Sequence, residues 1–165
     1  MNLKLHFTGN PKAVQSFRYT KSGMRYQPFD VTDWKNYIRL AAQQQLPPGF
    51  VILNSPLMVS AVFTFSAPRS WSKKKLSMLE RGGRFYKTTK PDLTDNLMKG
   101  LIDALSGIVW VQDQQICEVR SSKFYGMQAS TLLEVFEIAD LPPPEPVAET
   151  WDTLPLNFYF KGQRT

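Results

Sequence analysis

Residues 90–115 read KPDLTDNLMKGLIDALSGIVWVQDQQ and place Asp92, Asp95 and Asp113 around Lys99. Carboxylate oxygens are hard ligands suited to magnesium or manganese. An ammonium group stabilises charge that develops on phosphoryl oxygens. Together these residue types could hold a divalent cation against a phosphodiester.

The stretch just upstream supplies what such chemistry needs for binding. Arg69, Lys73, Lys74, Lys75, Arg81, Arg84, Lys87 and Lys90 face one acid, Glu80. That segment carries +7, which leaves −1 for the rest of a +6 chain. A concentrated positive field attracts polyanions and speeds their encounter. A solvated lysine-rich loop is the bland alternative, weakened by the acidic cluster that follows. Nearer the N-terminus, Arg18, Lys21 and Arg25 alternate with Phe17, Tyr19 and Tyr26. Basic groups among aromatics grip a nucleic-acid backbone and stack on bases, or they form an ordinary amphipathic hairpin.

Other chemistries are poorly supplied. Cys117 is the only cysteine and His6 the only histidine, so disulfides, cysteine-based zinc sites and Ser-His-Asp catalysis lack their parts. Cys117 reads as a buried strand thiol. No apolar run approaches the roughly 20 residues that span a bilayer, and the N-terminus has no signal-peptide core. A cytoplasmic location is the expectation.

The elements that must position these groups follow from periodicity. Leu3, Leu5 and Phe7 alternate as a first strand. Thr32 to Leu46 is helical, with Trp34, Ile38 and Ala41/Ala42 as its apolar stripe, Asp30 or Thr32 as cap and Pro47-Pro48 as stop. Leu57 to Phe65 alternates again, and a short helix fits residues 72–80. The strongest helix runs from near Leu93 to Ser106, closed by Gly107. Ile108 to Val111 is an apolar, strand-like run ahead of Asp113. Strands at Gln115–Lys123 and Thr131–Ile138, with a loop at Tyr125-Gly126, complete one α/β (α+β) domain over residues 1–140: a mixed sheet packed against two or three helices. Residues 141–165 form a proline-rich, acidic tail that can dock Trp151 and Leu156–Phe160 on the body or on a neighbour.

On a helical wheel Leu93, Leu97, Leu101, Ala104, Leu105 and Ile108 share one side, opposite Asp95, Asn96, Lys99 and Asp103. Structure alone could account for that polar face. Asp95 and Lys99 have ion-pair spacing, worth about 0.2–0.5 kcal/mol, and acids near a helix start offset its macrodipole. Neither effect explains the recurrence at Asp113.

These motifs strongly resemble those of the RusA family of Holliday-junction resolvases, often carried by phages and prophages. Members show Asp-x-Asp-Asn, a lysine three residues after the asparagine, an xxDAL.G helix end and a later aspartate before Gln-Val/Ile. SAPRSWSKKK resembles the family's basic segment, and GNPK…FRYTKSG…YQP its N-terminal region, so the likeness spans roughly residues 3–138. Asp95, Asn96, Lys99 and Asp113 match position by position. Asp92 matches only with one extra residue, since D-L-T-D-N replaces D-x-D-N. Gln112 stands where members often have an acid. The extra residue implies either a small bulge at Leu93-Thr94 or an altered metal site.

The resemblance implies a homodimer that binds branched DNA and nicks two opposed strands of a four-way junction using Mg2+, with Mn2+ as a possible substitute. Asp92, Asp95 and Asp113 would hold the metal, Lys99 would stabilise the phosphate and Asn96 would orient the site. The alternative is a catalytically weak branched-DNA-binding module of the same fold. A third reading is a nuclease of this fold acting on other branched or replicative DNA. Trp71 or Phe85 could wedge against unpaired bases, although core burial is the simpler assignment for both.

Overall fold

The computed structural model describes residues 2–13, 18–19, 22–26 and 29–139, without the side chains of residues 18–19, 25–26 and 29–31. The expected tail and Lys21 therefore lie outside the described residues, as do the side chains of Arg18 and Arg25.

Alternating apolar residues build the sheet. β1 (Asn2–Thr8) buries Leu3, Leu5 and Phe7. β4 (Leu57–Ser66) buries every second residue from Leu57 to Phe65. With β5 (Phe85–Tyr86), β6 (Ile116–Gly126) and β7 (Ser130–Glu137), these strands form one mixed sheet in the order β1-β7-β4-β6-β5. Only β4 and β6 run parallel; the other neighbours are antiparallel. β2 (Arg18–Tyr19) and β3 (Arg25–Tyr26) make a separate two-stranded ribbon.

Three helical stretches complete the domain. α1 (Phe29–Gln45) buries Trp34, Ile38 and Ala42 against the sheet and packs on α3 (Lys99–Leu105). It begins at Phe29, directly after Pro28, so Asp30 and Thr32 lie inside its first turn and are not its cap. α2 (Lys73–Glu80) matches the short helix expected in the basic segment, and the Ser72 hydroxyl caps it by accepting from the Lys75 amide at 3.3 Å. Gly107 closes α3 with φ +76°, a conformation that disfavours other residues. Asp103 pairs with Lys35 of α1 at 3.6 Å.

Three expectations change. Tyr125-Gly126 belongs to β6, and the turn to β7 comes after it. Ile108, Val109 and Trp110 are buried but form no strand: single bridges join Trp110 to Leu53 and Ser106. Cys117 is exposed, because the register slips between Leu57 and Met58 and Cys117 has no partner on β4. No helix among the described residues is long and apolar enough to cross a membrane.

Candidate active site

The acidic helix departs from the α-form where the sequence has its extra residue. From Leu93 to Met98 the backbone is π-helical. The Leu97 amide donates to the Asp92 carbonyl at 3.1 Å and the Lys99 amide reaches Thr94, each five residues back. A π-turn holds one residue more than an α-turn and is frequent at functional sites. The extra residue of D-L-T-D-N is absorbed there. α3 then resumes at Lys99 with Leu101, Ala104 and Leu105 buried.

The approach to this turn is pinned from the sheet. Lys123 of β6 donates to the carbonyls of Thr89 at 2.9 Å and Pro91 at 2.6 Å. Asp92 follows as the residue flanking the helix, yet its carboxylate caps no backbone amide. One of its oxygens accepts from Asn96 Nδ2 at 3.0 Å, and the other is left open. Asp95 and Lys99 are exposed, and their side chains make no hydrogen bond or ion pair with each other or with any other described residue. Capping and a surface ion pair therefore do not account for this face.

Asp113 stands on a different base. It opens the 3-10 turn Asp113–Gln115, where Gln112 and Gln115 cap each other's backbone. Gln115 Oε1 accepts from the Gln112 amide at 2.8 Å, while its Nε2 donates to Leu53 and Ser55 carbonyls at 3.1 and 3.2 Å. The turn is thus fixed beside the start of β4, and the Asp113 carboxylate is exposed and unpaired.

Asp113 lies just ahead of β6, and Lys123 of the same strand holds the approach to Asp92. Among the described residues, no three acidic, histidine or cysteine side chains gather where they could hold a metal. Asp92 and Asp95 share one turn, and Asp113 stands on another. The donor set still suits magnesium, which is commonly held by one or two carboxylates, several waters and substrate phosphate oxygens.

The basic segment is unopposed. None of the side chains of Arg69, Lys73, Lys74, Lys75, Arg81, Arg84, Lys87 and Lys90 forms an ion pair. Lys75 lies 3.7 Å from the centre of the Trp71 ring, and Arg84 lies 5.0 Å from that of Phe124. Trp71 meets Phe85 and Tyr125 edge-on at 5.2 and 5.0 Å. Trp71 and Phe85 are half-buried in this packing, so neither stands free as a wedge.

Sequence reasoning missed Lys123, Gln115 and Tyr125. A signal existed for Lys123: it occupies an inward position of β6, opposite buried Phe63, where the strand's alternation predicts an apolar residue. The Tyr125 phenol is drawn below its ordinary pKa, first by Thr89, then, after an opposing effect of burial, by Lys87 and Lys75.

An open acidic helix start beside an unopposed cationic surface, on a small mixed-sheet scaffold, defines a class: proteins that bring a polyanion to carboxylates. Comparison with known proteins narrows it. The family model described as Endodeoxyribonuclease RusA matches residues 8–135. The chain belongs to the RusA family, which makes it a nuclease by family with DNA as its partner. It is also similar to the Uncharacterized protein YqaN of Bacillus subtilis (strain 168). That relative is 32% identical over 133 residues, covering 79% of this chain and 89% of the relative.

Proposed function

We propose that this protein is a magnesium-dependent, structure-selective endodeoxyribonuclease that resolves four-way DNA junctions by paired nicks and works as a homodimer. The observation that carries this reading is the pairing of an open carboxylate face, Asp92 and Asp95 with Lys99, with a basic segment in which no charge is neutralised.

Asp92 and Asp95 would hold the metal together with Asp113. When bound, such an ion polarises a phosphate and lowers the pKa of a coordinated water. The Lys99 ammonium balances charge on the phosphoryl oxygens in the transition state. Asn96 fixes one oxygen of Asp92 and so limits how that carboxylate turns. The basic segment binds the DNA backbone by releasing counterions.

The homodimer follows from substrate symmetry. A two-fold dimer carries two equal sites, as paired nicks on a junction of approximate two-fold symmetry require.

A second reading, a catalytically weak branched-DNA-binding module, is favoured by the absence of a three-carboxylate group among the described residues and by Gln112 in place of an acid. A labelled four-way junction with magnesium separates the two. Symmetric nicking that disappears in Asp95→Asn while binding persists supports the resolvase. Binding with no cleavage under magnesium or manganese supports the module.

A further inference from the structure

Tyr125 sits where a cationic field meets no anion among the described residues. Its ring is clamped by the edge contact with Trp71 at 5.0 Å and paired across the strands with Phe85. The Lys87 ammonium lies 5.5 Å from the ring centre and donates to the Thr89 hydroxyl at 2.6 Å. Thr89 and Lys87 draw the phenol below its ordinary pKa, and Lys75 adds a second positive charge nearby. Among the described residues, no carboxylate enters this group. Glu80, the one acid in the basic segment, makes no ion pair.

Two hydroxyls and two ammonium groups converging without an acid form a donor set that matches a phosphate. Its place in the fold gives that match a use. Lys123 ties the carbonyls of Thr89 and Pro91 to β6, so the Thr89 hydroxyl is held a fixed three residues ahead of Asp92.

We propose that Lys87, Thr89 and Tyr125 form a phosphate-holding station that grips the substrate strand one or two nucleotides from the scissile phosphodiester. The Tyr125 hydroxyl and the Lys87 ammonium are its donors. This rests on the nuclease reading above and adds to it a binding residue outside the basic segment. Tyr125 touches the strand but not the reacting atoms, so its effect falls on binding and leaves the chemical step alone.

The test is Tyr125→Phe, which keeps the ring and its packing on Trp71 and Phe85 and removes only the hydroxyl. Binding and cleavage of a labelled four-way junction are measured for wild type and variant. They are then repeated on junctions in which each phosphate flanking the nick is replaced in turn by a neutral methylphosphonate. The station predicts that the variant binds the natural junction more weakly, on the order of tenfold, with kcat little changed and an unaltered melting temperature. It also predicts that one methylphosphonate position abolishes the difference between variant and wild type. Equal binding of the natural junction by both proteins overturns the proposal, and so does a loss that persists on every methylphosphonate junction. Failure of the wild type to bind any junction overturns the nuclease reading instead, and this proposal with it.

Discussion

Leu97 donates its amide to the carbonyl of Asp92, five residues back, at 3.1 Å. That bond decides how the acidic helix starts. It allows Leu97 and Met98 to be buried while Asp95 remains exposed, despite a residue more than the resembled motif carries.

Deleting Thr94 should therefore turn the π-turn into an α-turn and yield D-L-D-N. The expected protein folds with a melting temperature at or above that of wild type and keeps metal-dependent cleavage. Hydrogen exchange at Leu97 and Lys99, with a cleavage assay, checks both. A collapse of the fold would show that the buried residues of α3 depend on the longer turn.

Lys123→Met removes the donor shared by two backbone carbonyls and leaves them without that partner in a half-buried place. A stability loss of about 1–3 kcal/mol is expected, together with slower cleavage because the entry to Asp92 loosens. Denaturant melts and single-turnover rates measure the two effects separately. Slower cleavage at unchanged stability would point to a direct role for the ammonium in binding DNA.

Mixing inactive variants tests whether two protomers share a site. Asp95→Asn and Asp113→Asn should each abolish cleavage alone. If Asp113 serves the partner's site, a dimer of one variant with the other has one site intact and one doubly damaged. The mixture should then recover nicking of one strand without paired cutting, and half of the manganese binding seen by calorimetry. Recovery of neither would confine each site to a single protomer.

Lys73 and Lys74 are exposed and pair with nothing, whereas Lys75 is engaged over Trp71. Replacing Lys73 and Lys74 with alanine should lower the slope of log affinity against log salt by roughly two, with little change in folding. An unchanged slope would take the start of α2 out of the DNA interface.

Much of this molecule was legible as sequence because its determinants are local. Alternation at Leu3-Leu5-Phe7 and from Leu57 to Phe65 needs only a buried face to become a strand, and the leucine stripe from Leu97 to Leu105 needs only one side to pack. The run of lysines and the aspartates announced themselves by type and spacing. The Cys117 bulge was not legible, since it comes from the register between β4 and β6, which are far apart in the chain. Nor could Ile108 to Trp110 be told from a strand, because burial alone makes that run apolar.

Which residues can bear on one phosphate was left to tertiary structure. A list of aspartates carries no distance. The antiparallel pairing of β5 with β6 sets Tyr125 beside Lys87, and the Lys123 side chain fixes the approach to Asp92. Sequence determined the chemical groups and their local elements through short-range sterics and hydrophobic periodicity. Long-range strand pairing decided which of those groups meet.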